Sequence, residues 1–361
     1  MRGKRQEQRS LLMVGSVEER IAAQHPIRRI KVLADRALSR MGPVFDAMYA
    51  ETGRPSVPPE RLLKAQLLIA LFSVRSDRQF CEQLDYNLLF RWFLDLELDE
   101  KSFDASTFSR NRERLIRHEV AEQFLAAVVE EAKKAHLLSP DHFSIDGTLI
   151  ESWASMKSFR PKDGPPGGDS NGWSDFRGEK RSNETHASVT DPESRLARKG
   201  PGREAKLSYA SHVLMENRNG FLMDILLGQA DGFAERREGA TLVARIGGAR
   251  RKTVGGDKGY DATDFVQACR AAGVTPHVAP NIHSSRKKSA IDQRTLRHGG
   301  HRASQIVRRR IETIFGWLKS FGGMKRSRVK GLEKTQLAAR LAAAAYNLLR
   351  LSRLQPLEAG T

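Results

Sequence analysis

Two apolar, strand-like runs, Leu207 to Glu216 and Phe221 to Leu227, flank the tetrapeptide Asn217-Arg218-Asn219-Gly220. Asn and Gly both tolerate positive φ, so this spacing predicts a β-hairpin. A hairpin fixes an antiparallel pair, and any sheet built here is therefore not purely parallel.

The segments around the hairpin extend the pattern. His142 to Glu151 reads as a strand that ends, or bulges, at Asp146-Gly147. Glu235 to Ile246 reads as a helix, and Lys252-Thr253-Val254 as a short strand running into the turn Gly255-Gly256-Asp257. A helix over Asp264 to Ala272, a strand over Val274 to Ala279, and helices over Ala303 to Phe321 and Thr335 to Leu354 complete the order. From Pro140 onward this is an α/β layer with a mixed sheet. Residues 156–206, rich in Gly, Pro, Ser and charge, read as a long loop or loosely folded insertion.

Before Pro140 the period is helical. Pro58-Pro59-Glu60 opens a helix over Arg61 to Val74, another follows over Asp77 to Leu84, and Tyr86 to Leu98 is aromatic-rich. Asp104 or Ser106 caps a third helix running towards His136. Three helices with short links suit a helix-turn-helix and suit plain helical packing equally well. The expected division is an all-α N-terminal domain over 1–138 and an α/β domain over 139–355. No internal repeat is visible.

Charge narrows the function. The net charge is +18, a field that favours polyanions, nucleic acid first. Between Arg286 and Lys330 fourteen Lys and Arg stand against two acids, Asp292 and Glu312. Because an apolar, helix-periodic segment lies inside that stretch, it is not simply a disordered tail. No run approaches the ~20 apolar residues of a membrane span. The basic Met1–Ser10 segment is not followed by a signal-peptide core, so a cytoplasmic location is expected. Cys81 and Cys269 form no metal or disulfide pattern and read as buried thiols. The ten histidines contain no His-Glu-x-x-His, which leaves zinc hydrolysis unsupported.

Phosphodiester cleavage needs a strong nucleophile and relief of charge at phosphorus. Two Mg²⁺ ions ~4 Å apart, held by carboxylates, supply both. Three acids stand where such ligands belong: Asp146 at a strand before Gly147, Asp257 in Gly255-Gly256-Asp257-Lys258-Gly259-Tyr260, and Glu312, the one acid in Arg308-Arg309-Arg310-Ile311-Glu312-Thr313-Ile314-Phe315-Gly316-Trp317-Leu318-Lys319. On a continuous helix Arg308, Glu312 and Lys319 share one face. Taken singly, the two aspartates read equally well as turn residues, and the glutamate as half of an ordinary Arg–Glu pair. Trp153 and Trp317 are candidates for stacking on an unpaired base, with core packing the alternative.

Together these residues resemble bacterial insertion-sequence transposases of the DDE class, in particular the large family numbered five and its relatives. Phe143-Ser144-Ile145-Asp146-Gly147-Thr148 resembles that family's first-Asp strand, and Asp257-Lys258-Gly259-Tyr260-Asp261 its second-Asp turn. Arg308, Glu312 and Lys319 reproduce the Arg-x3-Glu-x6-Lys part of its third-acid signature, and Arg54 to Leu115 resembles its N-terminal domain. The signature's Tyr, three residues before the Arg, is Gln305 in this chain.

The resemblance implies an α/β catalytic core of the ribonuclease-H-like type, a mixed sheet flanked by helices, behind the all-α N-terminal domain. It implies Asp146, Asp257 and Glu312 as catalytic ligands of Mg²⁺, with Mn²⁺ able to substitute. It implies water attack on the DNA phosphate, then attack of the freed 3′-hydroxyl on target DNA. Arg308 and Lys319 would hold transposon-end phosphates; Arg309, Lys325, Arg326 and Arg328 would be sequence-independent phosphate contacts. The implied partners are the terminal inverted repeats, target DNA and a second copy of the chain, with no membrane. A nuclease that cuts without strand transfer, or a catalytically silent DNA-binding regulator, are the alternatives.

Overall fold

The computed structural model describes residues 17–49, 56–162, 181–200, 202–248, 250–281 and 289–355. The basic Met1–Ser10 segment, part of the 156–206 insertion, and Arg286 to Lys288 lie outside them. The helices are Val17–Arg20 (α1), Pro26–Ser39 (α2), Gly42–Met48 (α3), Pro59–Leu71 (α4), Asp77–Tyr86 (α5), Leu88–Phe93 (α6), Ala105–Arg117 (α7), Val120–Lys134 (α8), Ala234–Arg245 (α9), Thr263–Ala271 (α10), Gln293–Arg297 (α11), Gly299–Val307 (α12), Ile311–Ser320 (α13) and Leu332–Leu354 (α14). The strands are His142–Glu151 (β1), Phe159–Pro161 (β2), His186–Ser188 (β3), Arg195–Ala197 (β4), Lys206–Glu216 (β5), Leu222–Gln229 (β6), Lys252–Gly256 (β7) and Val274–Val278 (β8).

β1 organises the sheet. It pairs antiparallel with β5 along its whole length, from Phe143↔Glu216 to Glu151↔Ser208. On its other edge it pairs parallel with β7, but only over His142 to Ser144. β7 in turn runs parallel to β8, while β6 and the short β4 share the outer edge of β5. This is the expected mixed sheet with helices on it. β1 does not end or bulge at Asp146: Asp146 pairs with Val213 and Gly147 with His212 in regular register. The β7 partner is what stops there.

The hairpin forms, with a register irregularity between Leu214 and Met215 and a connection of residues 217–221. Gly220 takes positive φ, 68°; no asparagine does. The asparagines act as ties instead. Asn217 Nδ2 donates to Phe143 O at 3.2 Å, and Asn219 Nδ2 to Leu137 O at 2.6 Å.

Several helices differ from the periodicity reading. α2 and α3 were covered only by a general helical expectation. The third helix is two, α7 and α8, broken at Glu119, which takes φ 51°. Asp104 is the α7 cap, accepting from Ser106 N at 2.7 Å. The expected helix over Ala303 to Phe321 is also two, α12 and α13, joined by a 3-10 turn at Arg308–Arg310. Residues 156–206 contain the small β2–β3 ladder and β4 rather than loop alone.

The main apolar core joins α2 to α8 with β5, β6, α13 and α14. α14 packs against α2, α4, α7, α8 and β6, and its run Ala342 to Ala345 permits close approach. A second core lies between the sheet and α9 and α10. Cys81 and Cys269 are buried and free, as expected. Among the described residues, no helix is long and apolar enough to cross a membrane.

Candidate active site

β7 stops pairing with β1 at Ser144, two residues before Asp146, so Asp146 lies at the carboxyl ends of the parallel strands, where they part. Such strand ends are the usual ligand sites of open α/β sheets. Asp146 is half-buried, with its Oδ1 accepting from the Gly147 amide at 2.8 Å. Burial pushes its carboxyl up to about 6; the Gly147 amide and Arg308 oppose the rise, and the charges of Asp257 and Glu312 add to it. Residues far apart in sequence thus act on one carboxyl. Gly147 does not serve as a turn. A Cβ there would stand 3.0 Å from the buried His212 ring, so glycine gives that ring room.

Asp257 follows β7 directly and caps the 3-10 turn Lys258–Tyr260, accepting from Gly259 N at 2.9 Å. Below the turn lies Tyr260, wholly buried, its hydroxyl 3.2 Å from His212 Nδ1. Burial, then the charges of Asp146, Glu235 and Asp257, push the Tyr260 phenol well up, keeping it neutral.

Glu312 sits exposed in the first turn of α13, where a carboxylate also suits the helix dipole. The break before α13 alters the face argument. Arg308 belongs to the end of α12, and its Nε donates to Gln305 Oε1 at 2.9 Å rather than to Glu312. One helical turn past the middle of α13, Lys319 Nζ donates to Thr148 Oγ1 at 2.6 Å, tying α13 along β1. Burial, then Lys199, lowers the Lys319 ammonium.

The segment after α13 runs beside the end of β1, through a parallel bridge between Glu151 and Arg326. Arg326 donates to Ser152 O at 3.1 Å and Trp153 O at 2.8 Å. Arg328 bonds the Val74 carbonyl, and Lys325 and Arg309 are exposed. Trp153 is 46% exposed, with Lys330 Nζ 4.8 Å from its ring centre. Trp317 packs against Tyr346 and Phe321, the core alternative.

Sequence reasoning missed Glu235, in the first turn of α9. A Cβ on Gly259 would collide with Glu235 Oε2 and stand 3.1 Å from Asp257 Oδ1, so glycine clears space for one carboxylate beside another. Burial, then Asp257 and Asp146, raises the Glu235 carboxyl. In sequence it reads as an ordinary dipole-complementing acid at a helix start; only the fold reveals its neighbours.

The donor set is hard oxygen, crowded with like charge, which is what a divalent cation relieves. Among the described residues no three acid, His or Cys side chains already form a group able to hold an ion. Water and a DNA phosphate are the usual further ligands of such an ion. Mg²⁺ commonly takes one or two carboxylates in this manner.

Acids at the carboxyl ends of a mixed α/β sheet, with Arg308 and Lys319 on the neighbouring helices, suit chemistry on a phosphodiester. Two families match: one described as a transposase domain (DUF772) over residues 15–114, and one described as a transposase DDE domain over residues 175–348. The second stretch includes Asp257 and Glu312 and begins after Asp146. The protein is a DNA transposase of the DDE, insertion-sequence type, an enzyme that cleaves DNA and transfers the cut strand. No curated protein matches it significantly in sequence. Among solved structures, the piggyBac transposase synaptic complex with hairpin DNA aligns at 10% identity and TM-score 0.41, over 91% of this chain and 75% of that one. The Mos1 transposase paired-end complex with its left transposon end aligns at 12% identity and TM-score 0.21, over 84% and 82%.

Proposed function

We propose that the chain binds the terminal inverted repeats of its own insertion sequence, cuts there, and joins the freed ends to target DNA, with Asp146, Asp257 and Glu312 as the catalytic carboxylates. The observation that carries this reading is positional: Asp146 lies just past the point where β7 leaves β1, and Asp257 follows β7 directly. The charges of Asp257 and Glu312 both bear on the Asp146 carboxyl, which a divalent cation would relieve. Asp146 and Asp257 would hold Mg²⁺, with Glu312 completing the set and Mn²⁺ as a substitute. When bound, the metal supplies charge neutralisation at the phosphate and a stronger oxygen nucleophile. Arg308 and Lys319 hold the end's phosphates near the acids, and Arg309, Lys325, Arg326 and Arg328 grip the backbone without reading sequence.

The strand order, with β1 between an antiparallel hairpin and two parallel strands, supports a ribonuclease-H-like assignment and kinship with insertion-sequence family five. Residues 1–138 then form a helical DNA-binding and dimerisation part, and 139–355 the catalytic part. A cleft of about 1060 Å³ is lined by Arg75, Arg78 and Arg112 from the first part and Arg326 and Arg328 from the second, a suitable bed for end DNA. Joining two ends calls for a homodimer on DNA, working in the cytoplasm where that DNA is.

Duplexes carrying the terminal repeats that flank the gene provide the test. Asp257→Asn should lower cleavage at least about 10³-fold and leave end binding within about twofold, since a lost charge-stabilising group acts on the transition state. Persistent cutting by Asp257→Asn would remove the acid assignment. Pre-cleaved ends incubated with plasmid should yield joined products; cutting without joining would leave a nuclease.

A further inference from the structure

α12 ends against the open ends of β7 and β8, and one side chain makes the joint. Gln305 Nε2 donates to Gly256 O at 3.0 Å and to His277 O at 2.5 Å. These carbonyls belong to adjacent parallel strands, in which Gly255 stands opposite His277. Gly256 immediately precedes Asp257. On the same amide, Oε1 accepts from Arg308 Nε at 2.9 Å. Arg308 is the cation that opposes the rise of the Asp146 carboxyl. A primary amide presents two N–H donors and a carbonyl acceptor together, and here the donating and accepting ends are both used. Tyr has a single hydroxyl, Glu no donor when ionised, and Asn is one methylene shorter.

We propose that Gln305 is a positioning residue of the active site: its amide fastens the helix leading to Glu312 onto the strand end leading to Asp257, and holds Arg308 towards Asp146. The proposal rests on the acid assignment above. Its physical basis is the broken helix. A continuous helix would carry the orientation of α12 rigidly into α13. A 3-10 turn at Arg308–Arg310 does not, because its hydrogen bonding is poorer and its pitch different. Something must fix the end of α12 immediately before that turn, and Gln305 lies there, half-buried and anchored on both sides. Gly255 permits the close approach, since a Cβ there would stand 3.3 Å from Ser304 O. The amide bonds the Gly256 and His277 carbonyls and Arg308, so its effect passes through Arg308, Asp257 and Glu312.

The test uses the full chain with Mg²⁺ and a duplex bearing the terminal repeat. End binding, single-turnover cleavage on the preformed complex, and melting temperature are measured for Gln305→Met, Gln305→Glu, Arg308→Met and the double variant Gln305→Met/Arg308→Met. Gln305→Met keeps the shape and loses every hydrogen bond. It should slow cleavage about 10- to 100-fold while end affinity stays within about twofold, as expected for reacting groups displaced by a fraction of an ångström. Gln305→Glu keeps the acceptor for Arg308 but sets a carboxylate oxygen against the Gly256 and His277 carbonyls, and should be slowed at least as much as Gln305→Met. The double variant should be slower than Arg308→Met by much less than the factor Gln305→Met shows alone, the mark of residues acting through one another. Faster cleavage by Gln305→Glu than by the wild type, multiplying effects in the double variant, or a loss confined to affinity and melting temperature would overturn the proposal. Asp257→Asn in the same assay keeps the two readings apart. If it still cuts, the acid assignment fails. If it is inactive while Gln305→Met cuts at the wild-type rate, only the role of Gln305 fails.

Discussion

Burial pushes the Asp146 carboxyl up to about 6, and the charges of Asp257 and Glu312 add to the rise, which a bound cation would reverse. For Asp146 the sign follows from the direction of the shift. The folded protein binds the proton more tightly than the unfolded chain, whose value is the ordinary 3.8. The corresponding stability is fully present below about pH 4 and is lost as pH rises through about 6. Without divalent metal, Asp146→Asn should therefore be more stable than the wild type at pH 8, on the order of 1–3 kcal/mol before screening, and indistinguishable from it at pH 4. Mg²⁺ should raise the melting temperature of the wild type at pH 8 and leave the variant nearly unchanged. A variant less stable at both pH values, or equal responses to Mg²⁺, would contradict this picture of the site. At this scale the turn at Asp257 was legible, because Gly255-Gly256-Asp257 closes an apolar strand with residues that turn locally. The end or bulge expected at Asp146-Gly147 was not, since β1 runs in regular register through both residues. Glu235 and the task of Gln305 were not legible, because each is an ordinary helix residue whose significance comes from an element distant in sequence.

Elements are legible where one periodicity persists and obscure where it is interrupted without changing. A single 3-10 turn shifts the helix phase but leaves the apolar spacing on either side of it unchanged. The apolar stripe Ile311, Ile314, Phe315, Leu318 therefore gave no notice of the break at Arg308–Arg310. The kink between α7 and α8 was hidden for a similar reason, with Glu119 absorbing it at positive φ where glycine would have been a signal. α9 shows the opposite case, a glycine inside a helix that the pattern alone would score as a weakness. Gly239 faces the rings beneath the acids: a Cβ would stand 2.8 Å from Tyr260 Cε1 and 3.1 Å from Phe265 Cε2, both rings wholly buried. Gly239→Ala gains about 1 kcal/mol of helix propensity. It also forces two packed rings apart, which costs about 1–3 kcal/mol and shifts the packing beneath the acids. The net expectation is a lower denaturant midpoint at unchanged slope, with slower cleavage. An alanine variant as stable as the wild type would mean that α9 has slack at this contact.

At the scale of the whole molecule, the change from helical to β period near Pro140 marks a boundary in sequence but says nothing about what packs on what. Periodicity tells which face of an element is buried; it does not name the partner. In the fold, α14 closes the chain by lying among α2, α4, α7 and α8, all from before that boundary, and against β6 from after it. The apolar core is consequently continuous across the boundary. A fragment of residues 139–361 would expose the N-terminal-facing side of α14, including part of the set Leu337, Leu341, Leu348 and Leu351, together with β6 side chains now covered by α8. At about 1.5–3 kcal/mol for each large apolar side chain exposed, four such losses match the whole stability of a typical domain, about 5–15 kcal/mol. The fragment should therefore lack a cooperative thermal transition or aggregate. Adding the separately produced 1–138 segment should restore a single transition and end-DNA cleavage together. If residues 139–361 alone melt cooperatively near the full-length temperature, the catalytic half is self-sufficient, and the shared core is a docking surface rather than a condition of folding. The difference bears on function, because a shared core would couple the proposed grip of the N-terminal helices on DNA to the geometry around the three acids, whereas a docking surface would let the two move apart.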